Sequence, residues 1–197
     1  MDNILDIIKE EFTIDDVVNK RYYHTIGVIE MANKLNVMHN LNLDEEQVTL
    51  AAAFHDIAKL LPRELQLEYL NKNYSDAVNE LEKYPDVWHS FVGKCYAKEK
   101  YGINDEVVLN AIQYHTTGTP NMNNLEKIIF VSDYIEEVTR KRPQMIEARK
   151  IAYRNLDDGV LKVLEDTISY LKLNNKDIYY LTWDTYQYYL KENENVQ

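Results

Sequence analysis

The chain has 197 residues, of which 45% are apolar, enough for one folded domain with a sizeable core. Its formal net charge of −11 repels polyanions, which argues against nucleic acid and an anionic membrane surface as partners. Cys95 is the single cysteine, and no apolar run approaches the roughly 20 residues that span a bilayer. We therefore predict a cytoplasmic protein with one domain over residues 1–197.

Glycine and proline are scarce, with 5 and 4 residues respectively, which is too few for the many turns of a sandwich or barrel. This composition predicts an all-α fold. In the segment RYYHTIGVIEMANKL, apolar residues follow His24 at helical spacing, so His24 lies on the buried stripe of that helix. Asp44 predicts the start of the next helix, which is expected to run to Pro62 with His55 on its buried face.

The later helices repeat this placement of a polar residue on an apolar face. Short helices are expected after Pro62 and between residues 75 and 84, and His89 shares a face with apolar residues in the helix that Pro85 opens. Asn104 is the predicted cap of a helix that carries His115, and Asp133 lies on the stripe of NNLEKIIFVSDYIEEV. Two or three further helices, over residues 144–173 and 177–190, complete the predicted fold.

Four histidines and two aspartates are thus directed at one core. Each histidine alone is explained by an ordinary hydrogen-bonded core position, but unpaired carboxylates in the same core are costly unless a cation binds them. Imidazole and carboxylate are ligands of borderline first-row metals, and six ligands suit two ions better than one. The six candidates are His24, His55, Asp56, His89, His115 and Asp133.

These residues also carry a resemblance to a known family. His24, the doublet His55-Asp56 and the distal Asp133 resemble the HD-domain metal-dependent phosphohydrolases, and RYYHTIGV, FHDIAK, HTTGTP and LEKIIFVSDYIE resemble the YqeK-type symmetrical bis(5′-nucleosyl)-tetraphosphatases. The resemblance implies a compact HD-domain helical bundle with a central dimetal site. It also implies iron as the metal, whereas ligand chemistry alone leaves manganese, cobalt and zinc open.

The resemblance assigns the ligands to two ions. His24, His55, Asp56 and Asp133 are expected to hold the first ion, and Asp56 to bridge to a second ion held by His89 and His115. The expected reaction is attack of a metal-bound hydroxide on phosphorus, with Asp56 and Lys59 as the catalytic residues. Lys59 follows Asp56 by three residues and is predicted to contact a substrate phosphate, although a solvated helix-end lysine has the same pattern.

Further substrate contacts are predicted beside the ligands. Arg21 precedes His24 by one turn, where an ordinary exposed arginine is an equal alternative. Thr116, Thr117 and Gly118 follow His115, where an ordinary helix end is an equal alternative. As a departure from the family pattern, Glu137-Val138-Thr139 follows the distal aspartate's helix, which leaves Arg140 or Arg149 as the candidate for the outer phosphates.

The expected activity is symmetrical cleavage of diadenosine tetraphosphate, or a related small dinucleoside polyphosphate, to two ADP. One alternative is an HD-domain nucleotidase or phosphodiesterase that acts on another nucleotide, and a second is a non-catalytic HD regulatory module. Tyr179, Trp183 and Tyr186 share a helical face, which favours core packing or a homodimer interface over base stacking.

Overall fold

A computed structural model describes residues 2–196, with the side chains of residues 3–193, and it confirms the predicted all-α fold. The outermost residues of the predicted 1–197 domain therefore lie outside the described part. The helices are α1 Asp2–Glu11, α2 Lys20–Met38, α3 Glu45–Phe54, α4 Arg63–Asn73, α5 Val78–Leu81, α6 Trp88–Tyr101, α7 Glu106–Tyr114, α8 Asn124–Ile135, α9 Pro143–Arg154, α10 Leu156–Leu173 and α11 Tyr180–Val196.

The centre of the fold consists of α2, α3, α7 and α8, which pack against one another. The row of small residues Ala51, Ala52 and Ala53 in α3 is fully buried. Small side chains let helix axes lie close together, so α3 can pack closely on its neighbours. Leu35 of α2 and Ile129 of α8 fill the space beside them.

A second, smaller apolar cluster supports α6. Trp88 and Phe91 of α6 are buried against Leu70 of α4, Leu81 of α5 and Tyr179, which directly precedes α11. The indole N–H of Trp88 donates to the Leu81 carbonyl at 2.6 Å, so the buried polar group of this tryptophan is satisfied. This packing holds α6, and with it His89, against the central helices.

The last three helices cover the other side of the centre, where α10 packs on α8, α9 and α11. Of the predicted aromatic stripe, Tyr179 is buried in the second cluster and Tyr186 packs on the main core, whereas Trp183 is 40% exposed. Core packing therefore explains most of this stripe. None of the helices formed by the described residues combines the length and hydropathy needed to cross a bilayer.

Several predicted boundaries are wrong. The helix predicted to reach Pro62 ends at Phe54, because hydrogen bonds between residues three apart, such as Lys59 N to Asp56 O at 2.8 Å, replace the helical pattern. Asp105, not Asn104, caps α7, since its carboxylate accepts from two amides in the first turn. The sequence reasoning also missed α1 and a hairpin of β1 Thr13–Ile14 and β2 Val17–Val18.

Candidate metal centre

The six predicted ligands come together at the centre of the molecule. His24 lies in α2, His89 in α6 and Asp133 in α8, while His55 and His115 are the residues that directly follow α3 and α7. Donor atoms of His24, His55 and Asp133 lie within 4.8 Å of one another, as do those of His55, Asp56 and His115. His89 joins the second group through its Nε2 atom, 3.2 Å from His115 Nε2.

Asp56 occupies the position between the two groups. Its Oδ2 atom lies 3.6 Å from His55 Nε2 and 4.0 Å from His24 Nε2. Its Oδ1 atom lies 3.3 Å from His89 Nε2 and 3.6 Å from His115 Nε2. Each carboxylate oxygen therefore faces a different set of imidazoles, which is the arrangement required of a carboxylate that bridges two ions.

The outward-facing nitrogens of the histidines are fixed by the protein. The Nδ1 atoms of His55 and His115 each lie 2.7 Å from a backbone carbonyl three residues earlier, those of Ala52 and Ile112. A ring that donates through Nδ1 presents the lone pair of Nε2 on its other side. Metal-binding histidines show this pattern, because the second hydrogen bond sets the tautomer and the ring orientation.

Two buried nitrogens in the cluster have no hydrogen-bond partner among the described residues. They are Nε2 of His24 and Nε2 of His55. Asp133 Oδ1 lies 2.9 Å from His24 Nε2, so this nitrogen faces a carboxylate. Buried polar atoms are rarely left unsatisfied. The donor set and these two nitrogens thus fit a divalent metal, and the chain holds a histidine–aspartate cluster suited to one.

The protonation of the cluster also suits metal binding. Burial lowers the pKa of His55 to about 4, and burial with the nearby Lys59 holds the pKa of His89 well below its usual value. Burial alone would raise the pKa of Asp56, but the surrounding imidazoles, His55 first, hold it well below the ordinary range. At neutral pH His55 and His89 are therefore neutral and Asp56 is charged, which are the ligating forms of these groups.

Glu136 is a functional residue that the sequence reasoning missed. It is fully buried, and its Oε1 atom lies 3.2 Å from Nδ1 of His24. The same carboxylate accepts hydrogen bonds from Val138 N and Thr139 N. Burial would raise the pKa of Glu136, but these partners, His24 first, lower it to about 2. A charged Glu136 thus orients His24 and anchors the turn after α8.

The sequence did contain a signal for this residue. Gly27 follows His24 by one helical turn, and a Cβ atom at position 27 would lie 2.4 Å from Glu136 Oε2. Glycine inside a helix is unfavourable and indicates a close approach. Glu136 likewise follows Asp133 by three residues and lies directly after α8.

Cations surround the open edge of the cluster. Asp133 is 25% exposed, while its neighbours Arg21 and Arg140 are 27% and 29% exposed, so solvent reaches the centre from this side. Arg21 pairs with Asp56, and Arg140 Nη2 donates to Asp133 at 3.0 Å. Both arginines and His24 line a cavity of about 270 Å³.

Lys59 lies near the other group of ligands, as predicted, but on a different local structure. It belongs to the turns after α3 and not to the helix, and its Nζ atom is 3.1 Å from both ring nitrogens of His89. Burial lowers the pKa of this ammonium. The cluster therefore has a cation on the side of His89 as well as on the side of Asp133.

The predicted phosphate contacts after His115 need correction. Thr116 is near the cluster, with Oγ1 at 3.1 Å from His89 Nε2 and 3.0 Å from His115 Nε2. Thr117 is fully buried and donates to the Gly118 carbonyl at 2.8 Å. Gly118 has a φ of 66°, and a Cβ atom there would meet Thr185 of α11 at 2.7 Å. Thr117 and Gly118 thus serve the helix end and its packing.

Arg149 also has a structural role in place of the predicted one. Its guanidinium donates to the carbonyl oxygens of Ile135, Glu136 and Arg140 at 2.6, 2.8 and 2.9 Å. These bonds hold the segment between α8 and α9 in place. Arg140, which projects from that segment onto Asp133, is the better candidate for an outer phosphate.

Known proteins with similar sequences fit this geometry. The HD domain family matches residues 21–138, the range that contains all six clustered residues. A symmetrical bis(5′-nucleosyl)-tetraphosphatase of Halalkalibacterium halodurans is 38% identical over 95% of this chain and 96% of its own. Proteins of the same name from Bacillus subtilis and Staphylococcus aureus are 33% and 34% identical, over 93% and 90% of this chain and 94% and 91% of their own.

A solved structure supports the same relationship. A Clostridium acetobutylicum protein described as a predicted HD superfamily hydrolase involved in NAD metabolism is 33% identical and superposes with a TM-score of 0.84, covering 97% of both chains. The sequence and fold matches extend over nearly the whole chain, and the HD domain match covers residues 21–138. The chain therefore belongs to the HD-domain family and, within it, to the family of the symmetrical bis(5′-nucleosyl)-tetraphosphatases.

Proposed function

We infer that the protein is a symmetrical bis(5′-nucleosyl)-tetraphosphatase, an HD-domain phosphohydrolase that cleaves diadenosine tetraphosphate to two ADP. The observation that carries this inference is the clustering of His24, His55, Asp56 and Asp133 in a chain whose relatives with that name match it over at least nine tenths of its length. The substrate is a small dinucleoside polyphosphate.

The six clustered residues would hold two metal ions. His24, His55 and Asp133 would bind the first ion and His89 and His115 the second, with Asp56 shared between the two sets. Supporting this division, Oδ2 of Asp56 faces the first set and Oδ1 faces the second. Iron is the metal we propose from the family resemblance, while manganese, cobalt and zinc suit the same donors.

When bound, a pair of such ions activates water and neutralises charge on the transferring phosphoryl group. The chain's own residues bind and orient the substrate. Arg21 and Arg140 at the open edge, and Lys59 on the side of His89, are placed to receive the phosphate chain in a protein that otherwise carries a net charge of −11. Thr116 Oγ1 offers a neutral hydroxyl contact beside them.

The reaction test is an analysis of products. Purified protein loaded with metal under anaerobic conditions is incubated with diadenosine tetraphosphate, and the nucleotides are separated by chromatography. We expect ADP as the single nucleotide product. ATP with AMP would mean asymmetrical cleavage, and no turnover would contradict the activity itself.

The two alternative readings give different results in parallel assays. An HD-domain nucleotidase or phosphodiesterase would prefer a nucleoside monophosphate, a deoxynucleoside triphosphate or a cyclic dinucleotide from a substrate panel. A non-catalytic module would contain less than one metal per chain even after reconstitution. Elemental analysis of anaerobically purified protein distinguishes this case and identifies the metal as well.

Four further predictions come from the sequence. They are the cytoplasmic location, the absence of a nucleic-acid partner, the possible homodimer, and a single hydrolase domain over residues 1–197. The shared packing of α2, α3, α7, α8 and α10 supports the last of these within the described residues.

A further inference from the structure

Two cavities of similar size open beside the ligand cluster. The first cavity has a volume of about 410 Å³ and lies between the segment before α6 and the junction of α10 and α11. The second cavity has a volume of about 480 Å³ and lies between α8, the start of α9 and α10. Both fall in the range of volumes that bind small organic ligands.

Each cavity reaches the cluster through one polar side chain. Thr116 lines the first cavity, and its hydroxyl also contacts the imidazoles of His89 and His115. Arg140 lines the second cavity and donates to Asp133. The first cavity therefore adjoins one set of proposed ligands, and the second cavity adjoins the other.

Helix α10 separates the two cavities. Thr167 lines both of them, so this residue is a shared wall. On one face of the helix, Leu171 follows Thr167 by one turn and lines the first cavity. On the neighbouring face, Asp166 and Tyr170, also one turn apart, line the second cavity. The cavities are thus adjacent but distinct.

Both linings contain aromatic rings suited to nucleosides, and the second cavity also contains the cations Arg140 and Arg142. Tyr84 and Tyr179 contribute aromatic rings to the first cavity, and Lys176 there is neutralised by Asp86 at 2.7 Å. Tyr134 and Tyr170 contribute rings to the second cavity. Aromatic side chains stack on nucleobases regardless of base identity, and polar groups such as Asp166 and Thr167 are suited to ribose hydroxyls.

Building on the proposed function, we propose that the first and second cavities are two nucleoside subsites that receive the two halves of one dinucleoside tetraphosphate. The phosphate chain then crosses the ligand cluster from Thr116 to Arg140, over the edge of α10 at Thr167. Because both ends of the substrate are held, its midpoint lies at the metal ligands. This arrangement explains cleavage at the centre of the phosphate chain.

The test uses one substitution in each cavity. Tyr84→Ala removes a ring from the first cavity, and Tyr170→Ala removes one from the second. We expect each variant to lower kcat/KM for diadenosine tetraphosphate by roughly fivefold to a hundredfold, since stacking on one base has that worth. Tyr23→Ala is the matched control, because Tyr23 is 52% exposed, like Tyr170 at 51%, and lines neither cavity.

A substrate with one nucleoside provides the sharper test. Adenosine 5′-tetraphosphate, used as a competitive inhibitor, can place its nucleoside in either cavity. We expect each single variant to change its inhibition constant by no more than about twofold, and the double variant Tyr84→Ala/Tyr170→Ala to raise it by at least fivefold. An inhibition constant that depends on one cavity alone would overturn the two-subsite proposal.

These measurements test the two nucleoside subsites separately from the proposed hydrolase activity. If the unmodified protein forms ADP and a folded Tyr84→Ala or Tyr170→Ala variant retains kcat/KM within twofold, the subsites are refuted while the activity stands. Thermal unfolding establishes that each variant is folded. If an alanine variant does not fold, Thr167→Phe, which narrows both cavities from their shared wall, replaces it, and unchanged kcat/KM would again refute the proposal.

Discussion

At the residue scale, two buried carboxylates of the candidate metal centre have different positions and different roles. Asp56 lies between two sets of imidazoles, whereas Glu136 lies behind His24 and contacts its other ring nitrogen. A buried carboxylate is stable only when charged partners and hydrogen bonds offset its desolvation. For Glu136 those partners are His24 and Thr139, and for Asp56 they are Arg21 and the imidazoles of His55, His89 and His115.

Substitution of Asp56 tests the bridging role. We expect Asp56→Ala to abolish turnover and metal loading together, because both sets of ligands lose their common carboxylate. Metal content per chain and ADP formation are measured on the same preparation. Asp76→Ala, at an exposed position, is the control. Retention of two metals by Asp56→Ala would contradict the bridging assignment.

Substitution of Glu136 tests whether His24 depends on its hydrogen-bond partner. Glu136→Gln keeps the size and one acceptor oxygen but removes the charge beside His24. We expect metal affinity to fall by about 10–100-fold, the usual effect of changing a residue that orients a metal ligand. Competition with a chelator measures this affinity.

The neighbouring exposed residue supplies the control for that experiment. Glu137→Gln changes a carboxylate that bonds Lys34 and Tyr153 and does not contact the ligands. Its metal affinity should match that of the unmodified protein. Equal affinities for Glu136→Gln and Glu137→Gln would show that Glu136 does not position His24.

At the element scale, the ends of helices place the reactive groups. Both α3 and α7 end one residue before a histidine, so His55 and His115 bond back to the carbonyls of the last turn and point Nε2 forward. In a helix continued to Pro62, as predicted, the directions of successive side chains would differ by about 100° per residue. This spacing would apply to His55, Asp56 and Lys59. The tighter turns after Phe54 direct these side chains toward the ligand cluster instead.

The glycine in α2 is a prediction at this scale. Alanine usually stabilises a helix relative to glycine. Gly27→Ala should instead reduce the free energy of unfolding by about 1–3 kcal/mol and weaken metal retention, because the new methyl group would displace Glu136. Urea denaturation and chelator competition measure the two effects.

Gly93 in α6 is the matched control for this substitution. A Cβ atom at that position would lie 3.3 Å from a methyl group of Ile112, which can move slightly. We expect Gly93→Ala to lose less stability than Gly27→Ala and to retain its metal. The opposite order would show that Glu136 tolerates a side chain at position 27.

At the scale of the whole molecule, the ionisation of the buried cluster links stability to pH. The folded pKa of His55 is about 4, below its ordinary value of 6.5, so between these values the unfolded chain binds more protons than the folded one. Stability therefore falls as the pH falls through this window. His89 acts in the same direction, whereas the raised pKa of His24 opposes it.

The metal-free protein allows this linkage to be measured. Between pH 6.5 and 4.5 we expect the free energy of unfolding to fall more in the parent than in His55→Gln, by about 2 kcal/mol from this one histidine. Urea titrations across this interval give the change in the free energy of unfolding with pH for the parent and for His55→Gln. Glu136, whose pKa falls from 4.5 to about 2 on folding, adds to the pH dependence near pH 4.5 in both proteins, so its contribution cancels in the comparison. The same pH dependence of unfolding free energy in both proteins would contradict the contribution of His55.

The helical fold and the burial of the candidate ligands were predictable from local pattern. The spacing of apolar residues around His24, His89 and Asp133 placed each of them on a buried face, and every one lies there or at its edge. Periodicity reports which face a side chain occupies, because the helix repeat is constant. The ends of the helices were harder to predict, because a short turn can replace the last one or two helical hydrogen bonds. The end of α3 at Phe54 and the cap of α7 at Asp105 are examples.

The tertiary structure decided what surrounds those ligands. Whether Arg149 meets a phosphate or three carbonyls, and whether Thr117 is exposed or buried, depends on segments far away in the chain. The partnership of Glu136 with His24 joins residues 112 positions apart. The sequence by itself thus determined the fold class and the metal-binding residue types, because these follow from local periodicity and ligand chemistry. Only folding determined the supporting contacts and the two cavities, because they arise where separate helices meet.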